Sequence, residues 1–277
     1  MIIDAMTSPS TIPGAPRRRS SVPKRVAQAV LAGVLALGLV LATTGASGEH
    51  PGEQVTSVLA GQPVRLNLPP TDEPKGVAVF FHGQGGNVND KMDGPWLDAL
   101  RRDGWVVASS LFHREAWGNP ASTEDTERLI AWAEEQGGAE VKLFIGTSMG
   151  ATTSLNAVVH GIESPPCWYG VKAAVDMRTM GNVPGADGFI RAAYDGEPWP
   201  FVRNPVDNAS RFPADVRYRF VASPVDPYVP FEDNTEVMAG RLREAGAEVT
   251  VRPVQGPHDD PSHYSAFDLV RFANSCA

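Results

Sequence analysis

The stretch VKLFIGTSMGATTS, from Val141 to Ser154, decides the fold that this sequence predicts. It opens with a short apolar run, 141–145, of the kind that a parallel strand buried on both faces uses. Gly146–Gly150 follows with the pattern Gly-x-Ser-x-Gly, and a helix rich in small residues is predicted from Met149 onward. In this setting the serine stands on a tight, strained turn with its hydroxyl clear of the sheet. Such matches also occur by chance in glycine-rich proteins, but the flanking strand and helix favour Ser148 as a nucleophile.

A second glycine-rich segment, His82–Gly86, follows the apolar run 77–81. Glycines let backbone N–H groups approach a substrate closely, and the helix that begins at Met149 directs N–H groups and positive partial charge toward the same place. We predict that the backbone N–H groups of Gln84 and Met149 hold a tetrahedral oxyanion. His82 is expected to brace this loop rather than to transfer protons.

A serine hydroxyl needs a base to remove its proton, and the base needs a carboxylate to orient it. On a parallel sheet both should lie past the carboxyl ends of later strands. Asp226, in a proline-rich loop after the predicted strand 216–222, is the candidate acid, and Asp176 is the reserve. His258 directly follows the last predicted strand and is favoured as the base, with His263 as the alternative.

Strands that alternate with helices predict an α/β fold, a mostly parallel doubly wound sheet flanked by helices. The domain is expected to span 61–277, after a linker at 49–60. The irregular segment 176–215 is a candidate for a small lid, although no clear pair of helices is predicted in it.

Composition narrows the choice of partners. The chain has 277 residues, of which 42% are hydrophobic and 20% charged, and its net charge is −8. This acidity argues against a nucleic-acid partner, because phosphate binding draws on an excess of Lys and Arg. The chemistry of a serine nucleophile needs no metal and no organic cofactor, and from that chemistry we expect a small-molecule or acyl-ester substrate. We find no pattern that predicts an oligomeric state.

The N-terminal part, residues 1–48, has the order of an export signal. Basic residues at 17–19 and 24–25 precede the uncharged apolar run 26–42, which small and polar residues follow. We expect a protein exported to the cell envelope or the medium; an uncleaved membrane anchor is the alternative, since the run is barely long enough to span a bilayer. The only two cysteines, Cys167 and Cys276, are expected to form a disulfide there, with two free thiols as the alternative.

Together, the motif Gly146–Gly150, the His82-Gly83 loop and the chain order Ser148, Asp226, His258 resemble the α/β-hydrolase superfamily. The resemblance extends from about residue 60 to the end of the chain. It implies a serine hydrolase whose loop after the histidine-glycine pair supplies the oxyanion hole, with carboxylic esters as the most frequent substrates.

The same parts also serve secreted peptidases and acyltransferases. A non-catalytic binding protein of the same fold is the alternative from another class, and the filled triad positions argue against it. Four aromatic residues are either pocket walls or ordinary packing: Trp117, Trp168, Trp199 and Phe201.

Overall fold

An eight-stranded sheet forms the centre of the structure, a computed structural model that describes residues 52–196 and 201–277. The strands are β1 (Gln54–Leu59), β2 (Gln62–Asn67), β3 (Val77–Phe81), β4 (Val106–Ser110), β5 (Val141–Thr147), β6 (Cys167–Val171), β7 (Arg217–Ala222) and β8 (Glu248–Pro253). Their spatial order is β1-β2-β4-β3-β5-β6-β7-β8. β1 pairs antiparallel with β2, and β2 pairs antiparallel with β4. The six strands from β3 to β8 are parallel to one another. The predicted fold class is confirmed.

Helices cover both faces of this sheet. They are α1 (Pro95–Arg102), α2 (Pro120–Gly137), α3 (Met149–Val159), α4 (Ala186–Ala193), α5 (Val237–Glu244) and α6 (Ala266–Ala273). Within the described part of the chain, none of the helices is long and apolar enough to cross a membrane. The predicted signal or anchor at 1–48 lies outside the described residues.

Successive residues of β3 belong to opposite apolar layers, as the two-residue period of a strand requires. Val79 and Phe81 pack in the layer that contains α2, α3 and α5, whereas Ala78 and Phe80 pack with α1 and α6. Both phenylalanine rings are 0% exposed. Burial of one such ring contributes roughly 1.5 to 3 kcal/mol to folding. The strand is therefore fixed from both sides, and with it the loop that follows.

The N-terminal boundary of the domain differs from the prediction. Residues 54–59, assigned to a linker, form β1 and pair in register with β2 from Gln54 opposite Asn67 to Leu59 opposite Gln62. The turn between them consists of Ala60 and Gly61, with φ angles of 46° and 84°. Two residues with positive φ make the kind of tight hairpin turn whose twist matches that of the strands. The linker assignment at 49–60 is thus corrected for these six residues.

The segment 176–215 contains more regular structure than predicted. It holds α4 and three 3₁₀ helices, Met177–Asn182, Phe201–Arg203 and Pro205–Arg211. Its apolar residues Met180 and Ile190 pack in one cluster with Met149 at the start of α3. The segment therefore lies against the helix that follows Ser148, and its action as a lid stays a prediction.

The predicted disulfide is confirmed. Cys167, the first residue of β6, is bonded to Cys276 with a Cα–Cα distance of 6.0 Å. The bond connects positions 109 residues apart and ties the chain after α6 to a central strand.

Candidate active site

Ser148 occupies the junction between β5, which ends at Thr147, and α3, which begins at Met149. Its backbone angles, φ 50° and ψ −118°, lie in a region that residues other than glycine rarely adopt. Hydrogen bonds hold this conformation in place. The N–H of Ser148 donates to the carbonyl of Val171 over 3.0 Å, and its carbonyl accepts from the N–H groups of Ala151 and Ala174. Such strain persists only where surrounding contacts fix it, as they do here.

The two glycines of the motif permit close packing around this turn. A Cβ atom on Gly150 would lie 2.1 Å from the carbonyl oxygen of Phe81, and one on Gly146 would lie 2.7 Å from Cα of Ala151. Neither contact is compatible with a side chain, because both involve backbone atoms. The spacing of the motif therefore follows from the approach of α3 to the ends of β3 and β5.

The structure brings the three predicted triad residues together. Nε2 of His258 lies 3.2 Å from Oγ of Ser148, and Nδ1 of His258 lies 2.6 Å from Oδ2 of Asp226. Each residue is 8% exposed. An ionised carboxylate only accepts hydrogen bonds, so the ring proton belongs on Nδ1 and leaves Nε2 free to accept the serine proton.

The carboxylate of Asp226 is fixed by the loop that follows β7. Its Oδ1 accepts hydrogen bonds from the N–H groups of Tyr228 and Val229 over 2.9 and 3.1 Å. Burial alone raises the pKa of Asp226, but the hydrogen bonds from His258 and from these two N–H groups outweigh it and lower the pKa below its usual value. The group therefore stays negative at neutral pH.

The two reserve candidates have other partners. The carboxylate of Asp176 accepts hydrogen bonds from Arg178 and Asn204 at the start of a 3₁₀ helix. His263 is 0% exposed, and its Nδ1 donates to the carbonyl oxygen of Asp260 over 3.0 Å. Burial lowers the pKa of His263, and no hydrogen-bond partner for its Nε2 exists among the described residues. The Ser148 hydroxyl is thus contacted by His258 and not by His263.

The loop after β3 lies beside Ser148. A Cβ atom on Gly83 would lie 3.5 Å from Cβ of Ser148, an ordinary van der Waals contact. The backbone N–H groups of Gln84 and Met149 donate to no acceptor within the described ranges. Two unpaired backbone donors, one in the loop beside Ser148 and one in the residue that follows it, are what an oxyanion hole requires.

Two side chains brace this loop from opposite directions. The ring of His82 lies with Nε2 3.0 Å from the carbonyl oxygen of Leu111 and Nδ1 2.8 Å from that of Gly83, consistent with its predicted bracing role. The side-chain Nε2 of Gln84 donates to the carbonyl oxygen of Pro184 over 2.7 Å, which links the loop to the segment 176–215.

Solved structures with a similar fold align with most of this chain. A carboxyl esterase of Bacillus coagulans aligns with 82% of this chain and 99% of its own, at a TM-score of 0.59 and 14% identity. Carboxyl esterase 2 of Tuber melanosporum aligns with 83% of this chain and 90% of its own, at 0.59 and 18%. The chain has the α/β-hydrolase fold.

Peptidases with this fold are also similar over part of their length. Dipeptidyl peptidase 4 of Porphyromonas gingivalis aligns with 83% of this chain at a TM-score of 0.64 and 17% identity, but the match spans only 36% of the peptidase. No protein-family model matches the sequence, and no curated protein matches it significantly. The α/β-hydrolase fold is thus shared, while the sequences have diverged widely.

In this α/β-hydrolase fold Ser148 and His258 line a cavity of about 490 Å³. The cavity is walled by the glycine-rich loop, by Val183 and Pro184 of the segment 176–215, and by charged and aromatic side chains: Asp90, Lys91, Lys172, Tyr228, Asp259 and Tyr264. A larger cavity of about 650 Å³ lies between α2 and the start of β5 and contains no triad residue.

Of the four aromatic residues considered as pocket walls or ordinary packing, the two whose side chains the structure describes are packing residues. Trp117 and Trp168 are 1% and 2% exposed and belong to apolar clusters rather than to the lining of the cavity beside Ser148. Trp199 and the side chain of Phe201 lie outside the described residues. Sequence reasoning missed the two tyrosines and two lysines of the lining, which come from separate loops.

Proposed function

We propose that this protein is a serine hydrolase that cleaves carboxylic esters through an acyl-enzyme. The observation that carries the proposal is the continuous hydrogen-bonded series from Asp226 through His258 to Ser148, beside two unpaired backbone N–H groups. The match to esterases over nearly their full length supports the same reaction class.

The reaction divides into two half-reactions with the same proton route. Oγ of Ser148 attacks the ester carbonyl while its proton passes to Nε2 of His258, and Asp226 stabilises the imidazolium. The N–H groups of Gln84 and Met149 bind the oxyanion, and each such donor is worth roughly 3 kcal/mol of barrier. His258 then protonates the departing alcohol. A water molecule then attacks the acyl-enzyme while its proton passes to Nε2 of His258. His258 returns this proton to Oγ of Ser148 as the acid is released.

A panel of 4-nitrophenyl esters of increasing acyl length tests this proposal. We expect hydrolysis of short acyl chains by the natural protein and its loss in Ser148→Ala. A fluorophosphonate probe should label the natural protein and not the variant, which separates an enzyme from a non-catalytic binding protein. Equal rates for the two proteins would defeat the assignment.

Peptide hydrolysis and acyl transfer are the alternatives within the same chemistry. The similarity to dipeptidyl peptidase 4 motivates the first, but it covers only 36% of that protein. Peptide 4-nitroanilides and an added alcohol acceptor in the same assay distinguish them: we expect ester cleavage to exceed both.

We further propose that the protein is exported. The disulfide between Cys167 and Cys276 supports this, because disulfides persist in oxidising compartments. Fractionation of the source cells and N-terminal sequencing test it. Full-length, reduced protein confined to the cytoplasm would overturn it.

A further inference from the structure

Two lysine side chains converge on one tyrosine ring in the cavity beside Ser148. Nζ of Lys91 lies 4.3 Å from the ring centroid of Tyr264, and Nζ of Lys172 lies 5.8 Å from the same centroid. Lys91 comes from the loop before α1, Lys172 directly follows β6, and Tyr264 precedes α6. All three residues line the cavity of about 490 Å³. Three separate loops thus contribute to one part of the cavity wall, formed by Lys91, Lys172 and Tyr264, which we call the cationic corner.

The ring that they share is held firmly. Tyr264 packs edge-on against Trp96 with a centroid distance of 5.1 Å, and Trp96 packs in the same way against Phe80 of β3 at 6.2 Å. An aromatic face attracts an ammonium group electrostatically. The ring therefore interacts with both ammonium groups and is itself held in a fixed place.

Both lysines adopt a backbone conformation that is unfavourable for their residue type. Their φ angles are 57° for Lys91 and 44° for Lys172, in the left-handed region that favours glycine. The N–H of Lys172 donates to the carbonyl of Val221 over 2.7 Å, which fixes the strained position. Strain of this kind concentrates at functional sites, and both strained lysines line the same cavity.

The charges in this corner are incompletely paired. Nζ of Lys172 contacts Oδ1 of Asp259 at 2.7 Å, but the lysine side chain is 8% exposed while that of Asp259 is 83% exposed. Among the described residues no carboxylate forms an ion pair with Lys91, although Asp90 also lines the cavity. Within the described part of the chain Lys91 thus has no carboxylate within ion-pair distance, and the largely exposed carboxylate of Asp259, which contacts Lys172, interacts electrostatically with both lysines.

Residues of the cationic corner and its ion-pair partner are neighbours in sequence of residues that contact or belong to the triad. Val171, which precedes Lys172, accepts the hydrogen bond from the N–H of Ser148, and Asp259 directly follows His258. Ser148, Lys91 and Lys172 line the same cavity, so an ester bound at Ser148 shares that cavity with the two ammonium groups.

We propose that Lys91 and Lys172 form an anion subsite, and that the preferred substrates are esters with a carboxylate in their acyl or alcohol part. The carboxylate replaces Asp259 at Lys172 and pairs with Lys91. This inference rests on the proposed esterase function and specifies its substrate class.

Matched pairs of esters test the subsite. One pair is 4-nitrophenyl hydrogen adipate and 4-nitrophenyl methyl adipate, with the charge in the acyl part. The other is 4-acetoxybenzoate and its methyl ester, with the charge in the leaving group. Each kcat/KM is divided by the hydroxide-catalysed rate of the same ester. We expect a charged-to-neutral ratio of about 10 to 100 in at least one pair, as one charge-assisted contact supplies.

Variants assign that ratio to the two lysines. Lys91→Met and Lys172→Met should each lower it by about tenfold, because methionine keeps the length of the side chain without its charge. Asp259→Asn should raise it, because the competing carboxylate is removed. Lys142→Met, which removes a lysine from the larger, distant cavity, is the matched control and should leave it unchanged.

The outcomes separate this inference from the proposed function. A ratio of one or less in both pairs, or a ratio that Lys91→Met leaves unchanged, would overturn the subsite even if hydrolysis depends on Ser148. If no ester is cleaved in a Ser148-dependent way, calorimetric titration of Ser148→Ala with monomethyl adipate and dimethyl adipate decides. Preferential binding of the monoanion that Lys91→Met abolishes supports the subsite, and equal binding of both overturns it.

Discussion

Replacing Asp226 with asparagine removes one negative charge and changes the position of one proton, while the shape of the side chain is kept. The side-chain oxygen of asparagine can still accept the hydrogen bonds that Oδ1 now receives from Tyr228 and Val229. Its amide group would then face Nδ1 of His258, where the carboxylate now lies at 2.6 Å. An amide donor there requires an unprotonated Nδ1, so the ring proton moves to Nε2. His258 would then direct an N–H at Ser148 and could no longer accept its proton.

The expected loss is large because two effects act together. The base is held in the wrong tautomer, and the imidazolium loses the negative charge that stabilises it. In a serine protease triad the same substitution lowers kcat by about 10⁴-fold, which is about 5.5 kcal/mol of activation free energy. Since the Asp226–His258–Ser148 geometry here is that of a triad, we expect a loss of similar size for Asp226→Asn.

Steady-state kinetics with 4-nitrophenyl acetate at neutral pH measure this loss. Asp176→Asn is the matched control, because Asp176 also follows a strand but contacts Arg178 and Asn204 instead of a histidine. Circular dichroism should show that both variants are folded. A folded Asp226→Asn protein that retains more than about a tenth of the natural kcat, or an equal loss in the control, would refute the assignment of the acid.

Three further outcomes are expected. Replacing Cys167 and Cys276 with alanine should lower the free energy of unfolding by about 4 to 5 kcal/mol, since the bond closes a loop of 109 residues; an unchanged urea midpoint would contradict this. Gly150→Ala should abolish activity or soluble expression, because its Cβ would meet a carbonyl oxygen at 2.1 Å, whereas Gly240→Ala in the open part of α5 should raise the melting temperature slightly. Burial lowers the pKa of His263 below its unfolded value of about 6.5, so protonation favours the unfolded chain and stability falls as the pH drops below that value. His263→Gln should remove this part of the acid sensitivity, and parallel losses of melting temperature between neutral pH and about pH 5 in both proteins would count against it.

The strand–serine–helix junction could be predicted because its signal is local. The glycines at 146 and 150 are required by contacts within the same turn and with the neighbouring strand, so their spacing is visible in the sequence. Asp226 and His258 were predicted from a topological rule, since parallel strands bring their carboxyl ends to one edge. The structure places both side chains at that edge beside Ser148.

The elements that were missed depend on partners distant in the sequence or on weak local signals. β1 has mostly exposed or half-exposed residues, and its pairing with β2 rather than its own pattern makes it a strand. α4 has only eight residues, its cap residue Gly185 provides no side-chain hydrogen bond, and only Ala186 and Ile190 are buried. β1 has no clear two-residue burial period, and α4 is amphipathic but too short for its pattern to predict a helix alone.

The cationic corner was invisible for a different reason. Lys91, Lys172 and Tyr264 are separated by long stretches of chain, and each is an ordinary loop residue in the sequence. The left-handed backbone of Lys172 is held by a tertiary hydrogen bond to Val221, whereas Lys91 lies in a local turn in which its carbonyl accepts from the N–H of Gly94. Sequence patterns predict which strands end at a site, but not how their loops turn there.

The hydrogen bond from Gln84 to Pro184 has a kinetic consequence for large substrates. Gln84, for which we propose the role of one oxyanion donor, is bound through its side chain to the segment that walls the cavity. An ester bulky enough to push Pro184 outward would drag the donor amide away from the forming oxyanion. Discrimination against size should therefore appear as slower acylation of bound substrate, with kcat falling along a series of branched acyl groups while KM changes little.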